Sequence, residues 1–182
     1  MEKIKVGVMG ASSVELAPDE KARLEALAER LGAAIAARDC ILVTGATTGL
    51  PDLVARAARK NGVLALGVSP AQDRDEHRRL GLPLDGADAI IYTGFGFKGR
   101  NVVNVRSSDV VLIFGGATGT LNEFTIAYDE GKVIGVVEGS GGIADHIREI
   151  LSYCKRETRA RLFYGGDPEK LLDECLAELN KR

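Results

Sequence analysis

FGGATGTLNEF, residues 114–124, packs three glycines and two threonines into six positions, and Glu123 follows three residues after the last threonine. Glycine costs about 0.5–1 kcal/mol relative to alanine inside a helix or strand, so a run this bare serves something other than local stability. A glycine-rich turn that opens a helix points free N–H groups, and the positive end of the helix dipole, at whatever lies in front. An anion the size of a phosphate is the natural occupant. Gly115, Gly116, Thr118, Gly119 and Thr120 are therefore the first candidates for phosphate binding, with the hydroxyls as further donors. Glu123 admits two readings. Thr120-Leu121-Asn122-Glu123 fits the S/T-x-x-E capping box, in which the carboxylate reaches back to the threonine backbone N–H and needs no ligand. A carboxylate one turn past a phosphate cradle could equally lie under the sugar of a bound nucleotide.

Two further loops of the same kind occur. GASS contributes Gly10, Ser12 and Ser13, and TGATTG contributes Gly45, Thr47, Thr48 and Gly49. A fourth, TGFGFKGRN at 93–101, satisfies G-x-G-x-x-G through Gly94, Gly96 and Gly99. A dinucleotide fingerprint belongs to the first strand unit, with an acidic residue at the end of the next strand to hold a ribose. Here it falls in the fourth unit, and the next strand ends Phe114-Gly115, so the match is weak. Arg100 is more informative. Near the start of a helix, beside the 115–120 loop if their strands are neighbours, it could clamp a phosphate or hold a carboxylate such as Glu123. Phe95, Phe97 and Leu50 are the loop side chains that would set specificity.

The elements that must position these loops read as a repeated alternation. Apolar runs suited to buried strands are IKVGVM, CILVT, VLALGVS, ADAIIYT, DVVLIF and KVIGVV, with helical patterns between most of them. Leu24, Leu27, Ala28, Leu31 and Ile35 trace one face of the first helix. Asn61-Gly62 and Gly131 stand where C-capping glycines are expected. Asp167 and Pro168 open a last helix whose stripe is Leu171, Leu172, Cys175, Leu176 and Leu179. The run DRDEHRR at 73–79 reads as a solvated loop or short helix. This alternation predicts an α/β protein: one Rossmann-like domain over residues 1–182, with a doubly wound parallel sheet of about six or seven strands. In such a sheet every strand-to-helix loop emerges at the carboxyl edge, where ligands bind. Twelve of the 22 glycines fall in those loops: Gly10, Gly45, Gly49, Gly94, Gly96, Gly99, Gly115, Gly116, Gly119, Gly139, Gly141 and Gly142.

Composition narrows the function classes. With 182 residues, 45% hydrophobic and 27% charged, the chain is ordinary for a globular protein. A net charge of −2 supplies no broad basic surface, and the lack of tryptophan argues against stacking platforms, so nucleic acid is not an expected partner. No apolar run approaches the roughly 18 residues of a membrane span, and none near the start is long enough for a signal peptide. Cys40, Cys154 and Cys175 are scattered and form no CxxC, which points to a cytoplasmic, reducing compartment. His77 and His146, the only histidines, suggest neither a triad nor a metal site, and no Walker, HExxH or GxSxG motif is present. No metal or cofactor is required by these residues.

GRN followed by SSDVVLIFGGATGTLNE resembles the LOG-like family, Rossmann-like proteins long mislabelled lysine decarboxylases. Its mark is a PGGxGTxxE loop preceded by an arginine-containing helix, and the layout matches over most of the chain. Members that act on cytokinin nucleotides hydrolyse the N-glycosidic bond of a nucleoside 5′-monophosphate to free base and ribose 5-phosphate. The resemblance implies phosphate binding by Gly116, Gly119 and Thr120, catalytic positions for Arg100 and Glu123, and a homodimer. A decarboxylase would need a lysine to hold pyridoxal phosphate, and nothing marks one. Departures are local: Asn101 follows Arg100 where the hydrolases have lysine, Gly115 replaces the proline, Thr118 stands before Gly119-Thr120, and GATTGLPD replaces GGGxxGLM. Arg-Asn is similar to the branch that includes molybdenum-cofactor carriers, which bind a phosphorylated pterin without transforming it, making that cofactor a possible cargo. Three readings follow: a nucleoside monophosphate phosphoribohydrolase, a non-catalytic carrier or sensor of such a ligand, and a dimerisation module with a vestigial site.

Overall fold

The structure is a computed structural model and describes residues 2–12, 17–154 and 156–181. Its strands are β1 (Lys5–Gly10), β2 (Ile41–Thr44), β3 (Ala65–Ser69), β4 (Ala89–Tyr92), β5 (Val110–Phe114), β6 (Val133–Val137) and β7 (Arg161–Gly165). The α-helices are α1 (Pro18–Ala37), α2 (Leu50–Lys60), α3 (Arg74–Arg79), α4 (Gly96–Arg106), α5 (Thr118–Asp129), α6 (Ile147–Tyr153) and α7 (Pro168–Leu179), and a short 3-10 helix at Gly142–His146 leads into α6. The strands form one all-parallel sheet in the order β4-β3-β2-β1-β5-β6-β7. Burial grades across it. VVLIF of β5 and VIGVV of β6 are buried throughout, as continuous apolar runs must be in a sheet covered on both faces. The edge strands β4 and β7 are only partly covered.

The chain winds from β1 out to β4, returns to β5 beside β1, and winds out again to β7. Parallel crossovers share one hand, so the change of direction sends the helices to opposite faces. Leu24, Leu31 and Ile35 of α1, Val54 and Ala58 of α2, and Leu171 and Leu172 of α7 pack on one face. Val105 of α4, Phe124 and Ala127 of α5, and Ile147 of α6 pack on the other. Helix ends follow the sequence signals: Gly62 and Gly131 have φ of 83° and 72°, and the Asp167 carboxylate accepts from Lys170 N–H at 2.9 Å.

One expectation needs correction. β4 and β5 are not neighbours, because β3, β2 and β1 lie between them. DRDEHRR forms the short helix α3, capped by Asp73 and largely exposed, with His77 as its one fully buried residue. The Pro83 carbonyl can only accept from His77 Nε2, at 3.0 Å, so Nδ1 accepts from the Ser69 hydroxyl at 2.8 Å. That histidine ties the 70–83 connection to the sheet.

α1 and α2 approach closely at Gly32. An added Cβ would lie 2.6 Å from Ala58 N and 2.7 Å from the Ala57 methyl. Alanine ordinarily stabilises a helix relative to glycine, yet here it drives the helices apart. Gly32→Ala is expected to lower the urea-unfolding free energy by about 1–3 kcal/mol, the usual cost of overpacking. A net gain in stability would show that the two helices are not held this tightly.

Candidate functional site

β1 and β5 lie side by side at the point where the winding reverses, and their carboxyl ends open into a cavity of about 370 Å³. Gly10 pairs with Phe114 in register, and a Cβ there would come within 2.4 Å of the Phe114 carbonyl oxygen. The loop after β2 is stitched to the loop after β1 by Leu50 N–H donating to Ala11 O at 2.9 Å and by the Thr48 hydroxyl donating to Ser12 O. Gly49, with φ of 86°, permits this approach, since a side chain would collide with Ala11 O.

The loop after β5 is held from its far side. Gly115 N–H donates to the Ser140 hydroxyl at 2.8 Å, while Gly115 O and Gly116 O accept from Ala144 N–H and Ile143 N–H at 3.2 and 2.8 Å. With those carbonyls engaged, α5 begins at Thr118 with Ala117 as its N-cap and no side chain capping it. The first-turn N–H groups of a helix have no intrahelical partner. At α5 that turn includes Gly119 and Thr120, both of which line the cavity. Among the described residues no group of three or more His, Cys, Asp or Glu is placed to hold a metal ion.

On the cavity floor Arg100 Nη1 donates to Glu123 Oε1 at 3.2 Å, and both side chains are more than nine-tenths buried. The contact arises between helices: α4 returns from the edge strand across the sheet and lies along α5, where Asn101 Nδ2 also meets Asn122 Oδ1 at 2.8 Å. Asn104 Nδ2 donates to the same Glu123 oxygen at 3.2 Å. Burial pushes the Glu123 carboxyl above the usual carboxylate range, opposed by the charge of Arg100, the bond from Asn104 and the charge of Lys98. Burial likewise pulls the Arg100 guanidinium down, against the attraction of Glu123. Arg100 Nε and Asn104 Oδ1 are buried without a hydrogen-bond partner among the described residues.

The capping-box reading of Glu123 is therefore overturned. α5 starts two residues before Thr120, so Thr120 is inside the helix and the carboxylate turns to α4. Of the residues singled out in the sequence, Gly10, Ser12, Gly45, Thr47, Arg100, Gly115, Gly116, Gly119, Thr120 and Glu123 line the cavity. Thr48 and Gly49 lie outside the lining and join the loops. Thr118 is exposed at the start of α5, and Gly99 is exposed on α4, where a Cβ would sit 2.9 Å from the Phe95 Cβ. Ser13 lies outside the described residues. Phe97 and Leu50 reach the cavity, and Phe95 does not. Lys98, Asn104, Ser140 and Glu20 were missed. Of these only Lys98 carried a local signal, as a cation in the glycine-rich 93–101 loop.

Because its folded pKa exceeds the unfolded one, Glu123 binds more protons folded than unfolded in the interval between them. Its contribution to stability is full below the ordinary carboxylate value and is lost as pH rises through the raised value. Wild type should therefore lose stability relative to Glu123→Gln as pH rises upward from the ordinary carboxylate range, about 4. Denaturant titrations of both proteins from that range upward read the difference, and a gap independent of pH would contradict a raised Glu123 pKa.

Comparison with known proteins agrees with this fold. The SLOG cluster4 family model matches residues 3–172. An uncharacterized protein of Archaeoglobus fulgidus is 32% identical over 160 residues, spanning 85% of this chain and 96% of that one. The crystal structure of TM1055 superposes with a TM-score of 0.82 at 25% identity, covering 96% of this chain and 99% of that one. The molybdenum cofactor binding protein of the phototrophic bacterium Rippkaea orientalis superposes with a TM-score of 0.73 at 25% identity, covering 98% and 99%. Motif, switch-point cavity and profile lead to one assignment: the chain belongs to the SLOG cluster4 family, within the LOG-like Rossmann proteins and near the molybdenum-cofactor carriers.

Proposed function

We propose that this protein binds a phosphorylated, nucleotide-like small molecule in the cavity and hydrolyses the N-glycosidic bond of a nucleoside 5′-monophosphate. The observation that carries the reading is the buried Arg100–Glu123 pair on the cavity floor. Burying such a pair is weak support for stability, because desolvation offsets the attraction. A fixed carboxylate also repels an anion, so a phosphate belongs at the other polar feature, the uncapped start of α5. Between them the sugar would face Glu123.

Cleavage of the bond between the anomeric carbon and the base nitrogen sends the bonding electrons to the base. Positive charge builds at the anomeric carbon and ring oxygen, and Glu123 stabilises it or orients the attacking water. Water then forms the new carbon–oxygen bond, and its released proton ends on the departing base. Arg100 favours the ionised carboxylate against the burial that raises its pKa, and aims it, while Asn104 fixes the same oxygen. Lower pH would silence the reaction by protonating Glu123.

A second reading, carriage of a phosphorylated pterin such as the molybdenum cofactor as cargo, is supported by the similarity to the Rippkaea orientalis protein. The amino and ring N–H groups of a pterin would donate to Glu123 with no bond broken. Chromatography of free base after incubation with a panel of nucleoside 5′-monophosphates, including N6-modified adenylates, separates the two. Base release that falls at least about 100-fold in Glu123→Gln is the expected outcome. No release from folded wild type would overturn hydrolysis and leave carriage, which native mass spectrometry for a co-purified ligand then tests.

A further inference from the structure

Seven glycines line the cavity, and six have reasons within the protein. A Cβ at Gly10 or Gly45 would collide with Phe114 O or the Arg100 guanidinium, and Gly115, Gly116, Gly141 and Gly142 have positive φ. Gly119 has neither. As the second residue of α5 it has ordinary helical backbone, and the nearest atom to an added Cβ is Lys98 Nζ at 3.9 Å. Alanine would serve the helix better there, so the missing methyl keeps open the space between α5 and Lys98.

Lys98 is exposed on the first turn of α4 and lines the cavity, and its ammonium group makes no hydrogen bond or ion pair among the described residues. The other cation lining the cavity, Arg100, is engaged by Glu123. The gap at Gly119 is thus bounded by the start of a twelve-residue helix and by an uncommitted ammonium group. A helix N-terminus is equivalent to roughly half a positive charge, and with the lysine the sum is about +1.5. A terminal phosphomonoester carries about −1.5 to −2 at pH 7, whereas a diester carries only about −1.

Building on the proposed ligand class, we propose that Lys98 is the specificity-determining residue of this site. It clamps the terminal phosphomonoester over Gly119 and so selects 5′-monophosphates over nucleosides and diesters. Calorimetric titration with ribose 5-phosphate, with ribose as the control, tests this in wild type, Lys98→Gln, Lys98→Arg and Gly119→Ala. A hydrogen bond between charged groups is worth about 10- to 100-fold in affinity. Lys98→Gln should lose that factor for ribose 5-phosphate together with part of its salt dependence, and Lys98→Arg should recover most of it. Gly119→Ala should bind more weakly while melting no lower than wild type. Equal affinity and salt dependence in wild type and Lys98→Gln would overturn the role of Lys98 and leave the ligand class standing. Failure of wild type to distinguish ribose 5-phosphate from ribose would overturn both.

Discussion

A guanidinium and a carboxylate 3.2 Å apart, both nearly sealed from water, set the main constraint on this molecule. Removing one member of such a pair leaves the other charged and unpartnered, at a cost of about 3–5 kcal/mol. The pair joins two helices that follow strands four places apart in the sheet, so it exists only when α4 has crossed from β4 to lie beside α5. Much nearby structure serves it. Gly45 lacks a side chain because the guanidinium occupies that space, with Nη1 only 2.1 Å from an added Cβ. Asn101–Asn122 and Asn104–Glu123 extend the contact into a polar seam between the helices.

The second constraint is that separate loops must converge where the sheet reverses. Their mutual bonds fix the loop backbones against one another: Ala11 O accepts from Leu50, Gly115 O from Ala144 and Gly116 O from Ile143. Thr48 and Ser140 contribute hydroxyls to the same work, with Ser140 accepting from Gly115 and Thr48 donating to Ser12. The loops are thereby held around the cavity, and the first-turn N–H groups of α5 stand at its edge without intrahelical partners. Preorganised donors cost no reorganisation when charge appears in front of them.

Much of this was legible in the sequence because it is local. The central strands are continuous apolar runs, the helix ends carry Gly62, Gly131 and Asp167, and the glycines gather at one sheet edge. What escaped depends on pairings between distant segments. RLFYG of β7 mixes arginine and tyrosine with apolar residues because it is an edge strand, so it lacks the signature of its neighbours. The S/T-x-x-E spacing at 120–123 satisfied a capping rule that the helix start at Thr118 made irrelevant. Arg100 was placed near Glu123 by assuming adjacent strands, whereas adjacency belongs to their helices. Ser140 gives no sign in sequence that its hydroxyl will hold Gly115, since 25 residues separate them.

Asn101 shows how the seam and the cavity divide their charges. It follows Arg100, where the LOG-like hydrolases carry lysine, and it is buried with its amide nitrogen on Asn122. A second buried cation there would face another amide rather than a carboxylate, an arrangement that burial penalises heavily. A neutral side chain instead binds the helices and leaves the Arg100–Glu123 charges balanced. Lys98 lies three residues earlier, on the same side of α4, where its ammonium group is exposed. The cation at that position is free to meet an anion, while the floor stays neutral overall and rigid. The uncompensated positive charge of the cavity lining therefore sits at the Lys98 side, while its floor carries a balanced pair.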